Sequence, residues 1–427
     1  MLQIDHIYEF LYQEIFSDFE LYHLKNGVPI IKEDIGIVDI TVFTPGINVA
    51  NKIFFYDQEP LIKDLTDSYL DVFSFPDGYT FDQLIELNSK NQLPHGIGQA
   101  AAGELEFYQQ HPELVYKNKT LVVSERSDML DEYQEQYDLK ILYYFFHGFA
   151  ALDWYRGHYA LNYTKQVVRS YKYDFVSYNR IITGDRAYRI YFVSLLKELG
   201  LLDHGLVSFN VTDNVFDDWQ DEVSNTDSKL SEHAKLHIES NLTDVHKLIV
   251  DHAHIKGSAS ANIPRSIITN NKNNNMLEYD SFWHMVTETV FYYDKLHLTE
   301  KIFKPIVSKQ PFMLLAAPGN LAYLRSYGFK TFEGIIDESY DLIKDDDLRT
   351  EAVVKQLAWY CSLSDGEKIS VMRAVEPIVM HNFHHFYGSF SHIITAELLD
   401  NIKTLFKQLG YDDSKISYDT LVRTISK

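Results

Sequence analysis

The stretch Phe282–Phe332 (FWHMVTETVFYYDKLHLTEKIFKPIVSKQPFMLLAAPGNLAYLRSYGFKTF) constrains the fold more than any other part of the chain. It opens with a β-rich run to Tyr292, dense in Val, Thr and aromatic residues, and holds one acid there, Glu288. Leu298-Thr299-Glu300-Lys301 then opens an amphipathic helix whose apolar positions are Ile302, Phe303 and Ile306. Gln310-Pro311 stops it, and PFMLLAA reads as a buried strand. Pro318-Gly319 turns the chain, Asn320 is placed to cap, and a second helix carries Leu321, Leu324 and Tyr327 up to Gly328. A helix, a buried strand and a helix in succession are the rhythm of a doubly wound α/β domain.

The charges within this stretch point to chemistry. Thr299 is a candidate N-cap, and Glu300, Lys301 and Lys304 follow it closely. Free N–H groups and the positive dipole end make a helix N-terminus suitable for an anion. The dipole favours the acid but not the two lysines, which need another reason. A bound diphosphate supplies one, with Glu300 accepting hydrogen bonds from a ribose. The alternative is a surface helix with ordinary charges.

With Glu288, Thr299-Glu300-Lys301 and Pro311-Phe312 in place, the segment resembles the donor-binding half of GT-B glycosyltransferases, closest to the fucosyltransferase type. The resemblance implies an α/β fold that is GT-B-like: two Rossmann-like doubly wound domains facing across a cleft. Lys304-Pro305 and Gly328-Phe329-Lys330-Thr331-Phe332 extend beyond the pattern, so the identity of the sugar is not carried over.

At 427 residues the chain is long enough for two domains with separate cores. The reading divides it into an acceptor-side α/β domain at 1–165, a nucleotide-sugar-binding α/β domain at 171–380, and C-terminal helices at 381–427. The resemblance implies that these last helices cross back onto the first domain. No apolar run of about eighteen residues predicts a membrane span. The acidic start MLQIDHIYEFLYQEIF lacks the basic n-region of a signal peptide. The single Cys361 agrees with a reducing compartment, so the expected location is cytoplasmic and the Asn162-Tyr163-Thr164 sequon is read as chance. A net charge of −22 argues against broad binding to nucleic acid, which needs a basic face.

In chain order, an amphipathic helix (Ile4, Ile7, Leu11, Ile15) precedes a turn at Asn26-Gly27. Strand-like runs follow at GIVDITVF, KIFFYDQEP, DVFSFP, TLVVSE and KILYYFFHG. Helical segments are expected around Gln99 to Gln110 and at DMLDEYQEQY. This alternation suggests a first parallel sheet. Ligands of open α/β sheets bind beyond the strand carboxyl ends. Asp57 and Glu59 follow one such run, His147 another, and Asp153 stands shortly after it. For each of these a capping or structural role is the competing explanation.

The second domain begins near Tyr173, with YDFVSYNR as a strand ending at Asn179-Arg180. Asp185-Arg186-Ala187-Tyr188-Arg189 opens a long helix ended by Gly200. Arg180, Arg186 and Arg189 around one strand-to-helix turn suit phosphate oxygens, which guanidinium binds in bidentate fashion. LVSFN is a further strand, and residues 213–256 read as a polar, His-rich helical insertion. His233 and His237 have i,i+4 zinc spacing, but no Cys and no HExxH pattern accompanies them. Helices are expected from Ala352 to Leu363 and from Ser364 to Met380, with His381-Asn382-Phe383-His384-His385 leading into the terminal helices.

The expected function is metal-independent transfer of a sugar from a nucleotide-diphosphate donor to a glycan or other hydroxyl acceptor, with no cofactor beyond that substrate. Asn179, Arg180, Arg186, Arg189, Lys301 and Lys304 line the diphosphate site, Thr299 caps the helix there, and Glu300 binds ribose. Glu288 faces the sugar or an oxocarbenium-like centre. Asp57, Glu59, His147 and Asp153 are unranked candidates for the base that deprotonates the acceptor. Three alternatives stand beside it. In a GT-A enzyme Asp57-Gln58-Glu59 would bind a metal. A DNA-modifying glycosyltransferase would act on a flipped, hydroxylated base. A non-catalytic sugar-nucleotide or glycan-binding protein would keep the fold without turnover.

Overall fold

The computed structural model describes six short strands before residue 145, and then residues 145–179, 181–209, 219–242, 280–292, 295–409, 412–414 and 416–425. The chain forms two compact units, one of His147–Ile393 and one of Leu2–Phe146 together with Ile394–Lys427.

The second of these units contains β1 (Leu21–Lys25), β2 (Val28–Ile31), β3 (Ile47–Val49), β4 (Ile53–Phe55), β5 (Thr120–Val123) and β6 (Lys140–Tyr143). They form one sheet in the order β2-β1-β3-β4-β5-β6. The expectation of a parallel sheet here is corrected: β1 is antiparallel to β2 and β3, and β3 to β4, while β4-β5 and β5-β6 are parallel. Residues 26–27 alone separate β1 from β2, and 50–52 separate β3 from β4. Connections that short can only reverse the chain, whereas the longer segments before β5 and β6 permit crossovers. The runs GIVDITVF and DVFSFP and the helices expected around 99–110 and at 128–137 lie outside the described residues. Of the stretch 1–30, expected as a helix and a turn, the described part, Leu21–Lys25 and Val28 onward, is strand instead.

The remaining strands and most helices belong to His147–Ile393. In order they are α1 (Phe146–Trp154), α2 (His158–Asn162), β7 (Tyr173–Asn179), α3 (Tyr188–Glu198), β8 (Gly205–Phe209), α4 (Trp219–Ser224), α5 (Glu232–Asn241), β9 (Ser281–Thr287), α6 (Glu300–Val307), β10 (Phe312–Leu315), α7 (Asn320–Ser326), α8 (Asp346–Cys361) and α9 (Asp365–Tyr387). The chain closes with α10 (Phe390–Leu409) and α11 (Tyr418–Ile425). Strands β10-β9-β7-β8 form a wholly parallel sheet in that order. All seven residues of β9 are buried, so both faces of the sheet are covered. One helix group, α3 with α5 and α8, and another, α6 with α2 and α9, supply that cover. Nine successive residues of α3, Tyr188 to Leu196, are buried.

Taken in chain order, the sheet runs outward from β7 to β8 and then resumes on the other side of β7 with β9 and β10. The direction of winding therefore changes between β7 and β9. Crossovers on the two sides leave from opposite faces there, which opens a crevice beyond the carboxyl ends of these two strands.

Three local expectations are corrected. The run KILYYFFHG is a strand only to Tyr143, and His147 lies in α1. A segment apolar on every side has no periodicity to distinguish a buried strand from a buried helix. Residues His381–His385 lie within the last turns of α9, not beyond its end. There His381 Nε2 and His385 Nε2 donate to the Gly328 and Tyr327 carbonyls (2.9 and 2.7 Å), and Asn382 exchanges two bonds with Lys330. They satisfy carbonyls that α7 leaves open at its C-terminus. Gly328, at φ +89°, sits so close to the His385 ring that a Cβ would come within 2.8 Å of it. Finally, Asn320 does not cap α7. The Asp341 carboxylate accepts from Leu321 N (3.0 and 3.1 Å) and Ala322 N (3.3 Å), while Asn320 braces the chain at Lys295, His297 and Ala317.

Arg349 fastens the end of β10 to α8. Its buried guanidinium donates to the Ala316, Ile343, Lys344 and Phe291 carbonyls and to Asp346, and it lies 4.2 Å from the Phe291 ring. Removing it leaves several buried carbonyls and one carboxylate without their donor. Arg349→Leu is expected to cost about 3–5 kcal/mol, measured as a lowered urea midpoint; a midpoint within error of wild type would show that water replaces the guanidinium at no cost.

Candidate functional site

The crevice at the ends of β7 and β9 collects most of the residues singled out from the sequence. Asn179, the last residue of β7, is fully buried, and its Oδ1 accepts from the Thr287 hydroxyl at the end of β9 (3.0 Å). Its Nδ2 donates to Ser177 Oγ (3.0 Å). Asn179 thus ties the two strands together at the point where they diverge.

Beyond β9 stands Glu288, with no exposed surface. Its Oε1 accepts from Thr299 N (3.1 Å), and its Oε2 accepts from Thr299 Oγ1 (2.6 Å) and Thr289 N (3.1 Å). Burial pushes its carboxyl up from the ordinary range, against the Lys301 charge and the Thr299 hydrogen bonds. The structure therefore places Glu288 beneath the crevice, where the sequence reading has it facing a sugar.

Thr299 occupies the N-cap of α6, accepting from Lys301 N. The short apolar side of α6, with Ile302, Phe303, Ile306 and Val307 buried, turns the helix so that its first turn meets the crevice. Lys301 is one-third exposed, and its ammonium lies 2.8 Å from Thr289 Oγ1, 3.0 Å from Thr299 Oγ1 and 3.1 Å from Glu300 Oε1. Burial alone would raise the Glu300 carboxyl, but the Lys301 and His147 charges outweigh it and hold it below the ordinary range. Lys304, one turn on, places its ammonium 4.0 Å from the centre of the Tyr178 ring. At the other end of α6, Lys165 Nζ donates to the Ser308 carbonyl, a cation where the dipole favours one.

His147 comes to this site from α1, with Nδ1 3.9 Å from Glu300 Oε2. Its ring meets that of His297 edge-on at 5.1 Å. Burial pushes His147 down to about 4. Burial, and then the nearby His147, Lys295, Lys301 and Arg186, hold His297 well below its usual range. Both imidazoles are therefore neutral at pH 7, the state in which an imidazole accepts a proton.

The arginines divide. Arg189 is buried, and its guanidinium donates to the carbonyls of Ile181 (2.8 Å), Thr287 (2.7 Å) and Glu288 (3.1 Å), which makes it part of the frame beneath the site. Arg186 is part-exposed, and its charge reaches His297 and Tyr188. Arg180, Asp57 and Glu59 lie outside the described residues, as does the side chain of Asp153 on α1.

No family model, curated protein or solved structure matches this chain.

Sequence reasoning missed His297, Thr289 and Tyr188. Tyr188 donates to the Glu288 carbonyl (2.5 Å) and stacks on Phe291 at 3.9 Å. A hydrophobic helix start gives no sign of such a bond, and His297 had only its place two residues before the cap to mark it. The zinc-spaced pair on α5 is otherwise engaged: His237 bonds Ser194 Oγ (2.9 Å) and Glu198 (3.0 Å), and His233 lies 3.5 Å from Glu351. Among the described residues, Asp174, His204 and Cys361 also bring metal-type atoms within 4.8 Å of one another. Lys368 already holds both Asp174 oxygens there (2.7 and 2.8 Å), which makes the group an ion-pair tie between α9 and β7.

The depressed His147 pKa carries a stability signature. Its contribution is complete above the unfolded value of 6.5 and is lost as pH falls toward about 4. Glu288, raised by burial above the ordinary 4.5, acts in the opposite direction as pH falls toward 4.5, and because both proteins carry it the comparison between them cancels it. His147→Gln is expected to lose less stability than wild type between pH 7 and pH 4.5, by up to about 3 kcal/mol. Urea unfolding at the two pH values measures this, and parallel losses in both proteins would contradict it.

Proposed function

We propose that the chain is a glycosyltransferase that takes a sugar from a nucleoside-diphosphate donor and passes it to a hydroxyl acceptor. The observation that carries this reading is the part-exposed Lys301 ammonium at the N-terminus of α6, held by three oxygens beside the β7–β9 crevice. Two features of this position suit a diphosphate: the dipole at the head of α6 favours an anion, and a cation stands ready beside it. Transfer of the sugar leaves negative charge on the departing diphosphate. Lys301, with Arg186 and Lys304 nearby, stabilises it electrostatically without needing to reorganise. Glu300, held ionised next to Lys301, accepts from ribose hydroxyls.

In this reading the protein has a GT-B arrangement, with the unit of Leu2–Phe146 and Ile394–Lys427 serving the acceptor, and the chemistry runs without a metal. The neutral His147 is the candidate base that the described residues put nearest to Glu300 and Lys301. Taking the acceptor proton as the new glycosidic bond forms is the role a neutral imidazole can fill.

Lys301→Ala is expected to weaken binding of nucleoside diphosphates by about 2–3 kcal/mol, a factor of roughly 30 to 150 in Kd. Calorimetry with GDP, UDP and ADP measures it, and an affinity unchanged from wild type would remove the assignment. Transfer or donor hydrolysis by the pure protein, undiminished in EDTA, is the expected activity; its absence with every common nucleotide sugar would favour a binding protein without turnover.

A further inference from the structure

Glu288 cannot touch a ligand at the surface, because none of it is exposed, yet its carboxylate is bonded to both threonines that hold Lys301. A hydroxyl has one proton to give and two lone pairs. The Thr299 hydroxyl gives its proton to Glu288 Oε2 at 2.6 Å, so its lone pairs remain for Lys301, whose N–H and Nζ approach at 3.4 and 3.0 Å. The same carboxylate oxygen accepts from Thr289 N, which fixes the residue whose Oγ1 lies 2.8 Å from Lys301 Nζ. The main chain of Glu288 is equally constrained. Its N–H donates to the Leu315 carbonyl (2.8 Å), and its carbonyl accepts from Tyr188 OH (2.5 Å) and Arg189 (3.1 Å).

We propose that Glu288 is a positioning residue: its buried carboxylate turns the Thr299 hydroxyl toward itself, anchors Thr289, and so presents two oxygens that aim the Lys301 ammonium at the crevice. The inference rests on the reading of Lys301 as the cation for a diphosphate. It explains why an acid stands inside the fold at a place where a hydrophobic residue would pack without desolvation cost. A carboxylate only accepts hydrogen bonds, and three donors converge on it. A glutamine of the same shape would turn an NH2 toward at least one of those donors. At the Oε1 place that NH2 meets the Thr299 N–H and pushes the threonine away. At the Oε2 place it meets Thr289 N and reverses the Thr299 hydroxyl, so that Lys301 faces a proton in place of a lone pair. Either way the two oxygens no longer hold the ammonium as before.

The test uses the full chain and needs no nucleotide. Trace acylation with an amine reagent, read by mass spectrometry at Lys301 against the other lysines of the same sample, reports how firmly the ammonium is held. Glu288→Gln is expected to raise the relative rate at Lys301 about fivefold, the fold-change of one lost hydrogen bond. Thr299→Val should do the same, Thr299→Ser should label like wild type, and the double variant E288Q/T299V should label no faster than either single one, since the two residues act as a unit. An unchanged rate at Lys301 in a Glu288→Gln protein that keeps the wild-type circular dichroism overturns the proposal, as does an additive double variant. Should Glu288→Gln fail to fold, the threonine pair decides: valine and serine variants labelling alike overturn it. GDP and UDP titrations separate this inference from the functional one. Faster labelling together with weaker nucleotide binding supports both, whereas faster labelling in a protein whose wild type binds neither nucleotide supports the brace and removes the transferase reading.

Discussion

A single buried carboxylate joins the central strand of the parallel sheet to the helix that follows it. Glu288 has no access to water, and an isolated charge so placed would be too costly to keep. It is retained because Thr289 N, Thr299 N and Thr299 Oγ1 converge on it and the Lys301 charge stands behind them. The start of α6 is therefore located by hydrogen bonds and not by packing alone. Without that join, the segment between β9 and α6 would have only apolar contacts to fix where the first turn of the helix points.

The same logic recurs around the edge of the sheet. Arg189 spends its guanidinium on carbonyls beyond β7 and β9, Arg349 on carbonyls beyond β9 and β10, and Asp341 on the amides that open α7. Strand ends of a parallel sheet leave main-chain groups that no neighbouring strand can pair, and buried groups of this kind must find partners. Long charged side chains reach them. The charges of the unit fall accordingly into two sets: those consumed by the frame, such as Arg189 and Arg349, and those that keep solvent contact at the crevice, of which Lys301 is the clearest.

Much of this unit is legible in the sequence. Strands β7, β9 and β10 announce themselves as short apolar runs closed by polar residues, Gly or Pro. The Thr299 cap is a local event, settled within three residues of chain. What was not legible lies further apart. His147 and His297 meet across 150 positions of sequence, and nothing in FFHGF or KLHLT says that they do. Arg186 and Arg189 stand three residues apart at one helix start, yet one keeps solvent contact and the other is sealed beneath the site. Which is which depends on where the helix rotates against the sheet. The sequence reading takes 1–30 as a helix and a turn and passes over Ile47–Val49, so β1, β2 and β3 and their antiparallel pairing have no counterpart in it; of these four strands only β4 falls in a run that it names.

The sequence by itself determined the alternating α/β character, the cap and charges at the head of α6, and the chain positions where a site of this kind can form. Those are properties of neighbouring residues, set by steric preference, dipole and periodicity. Tertiary structure alone decided the strand order, the change of winding between β7 and β9, and whether each acid or base looks into the crevice or into the core. These are choices among arrangements with nearly equal local energy. Only the packing of distant segments, and the need to satisfy every buried polar group at once, separates them.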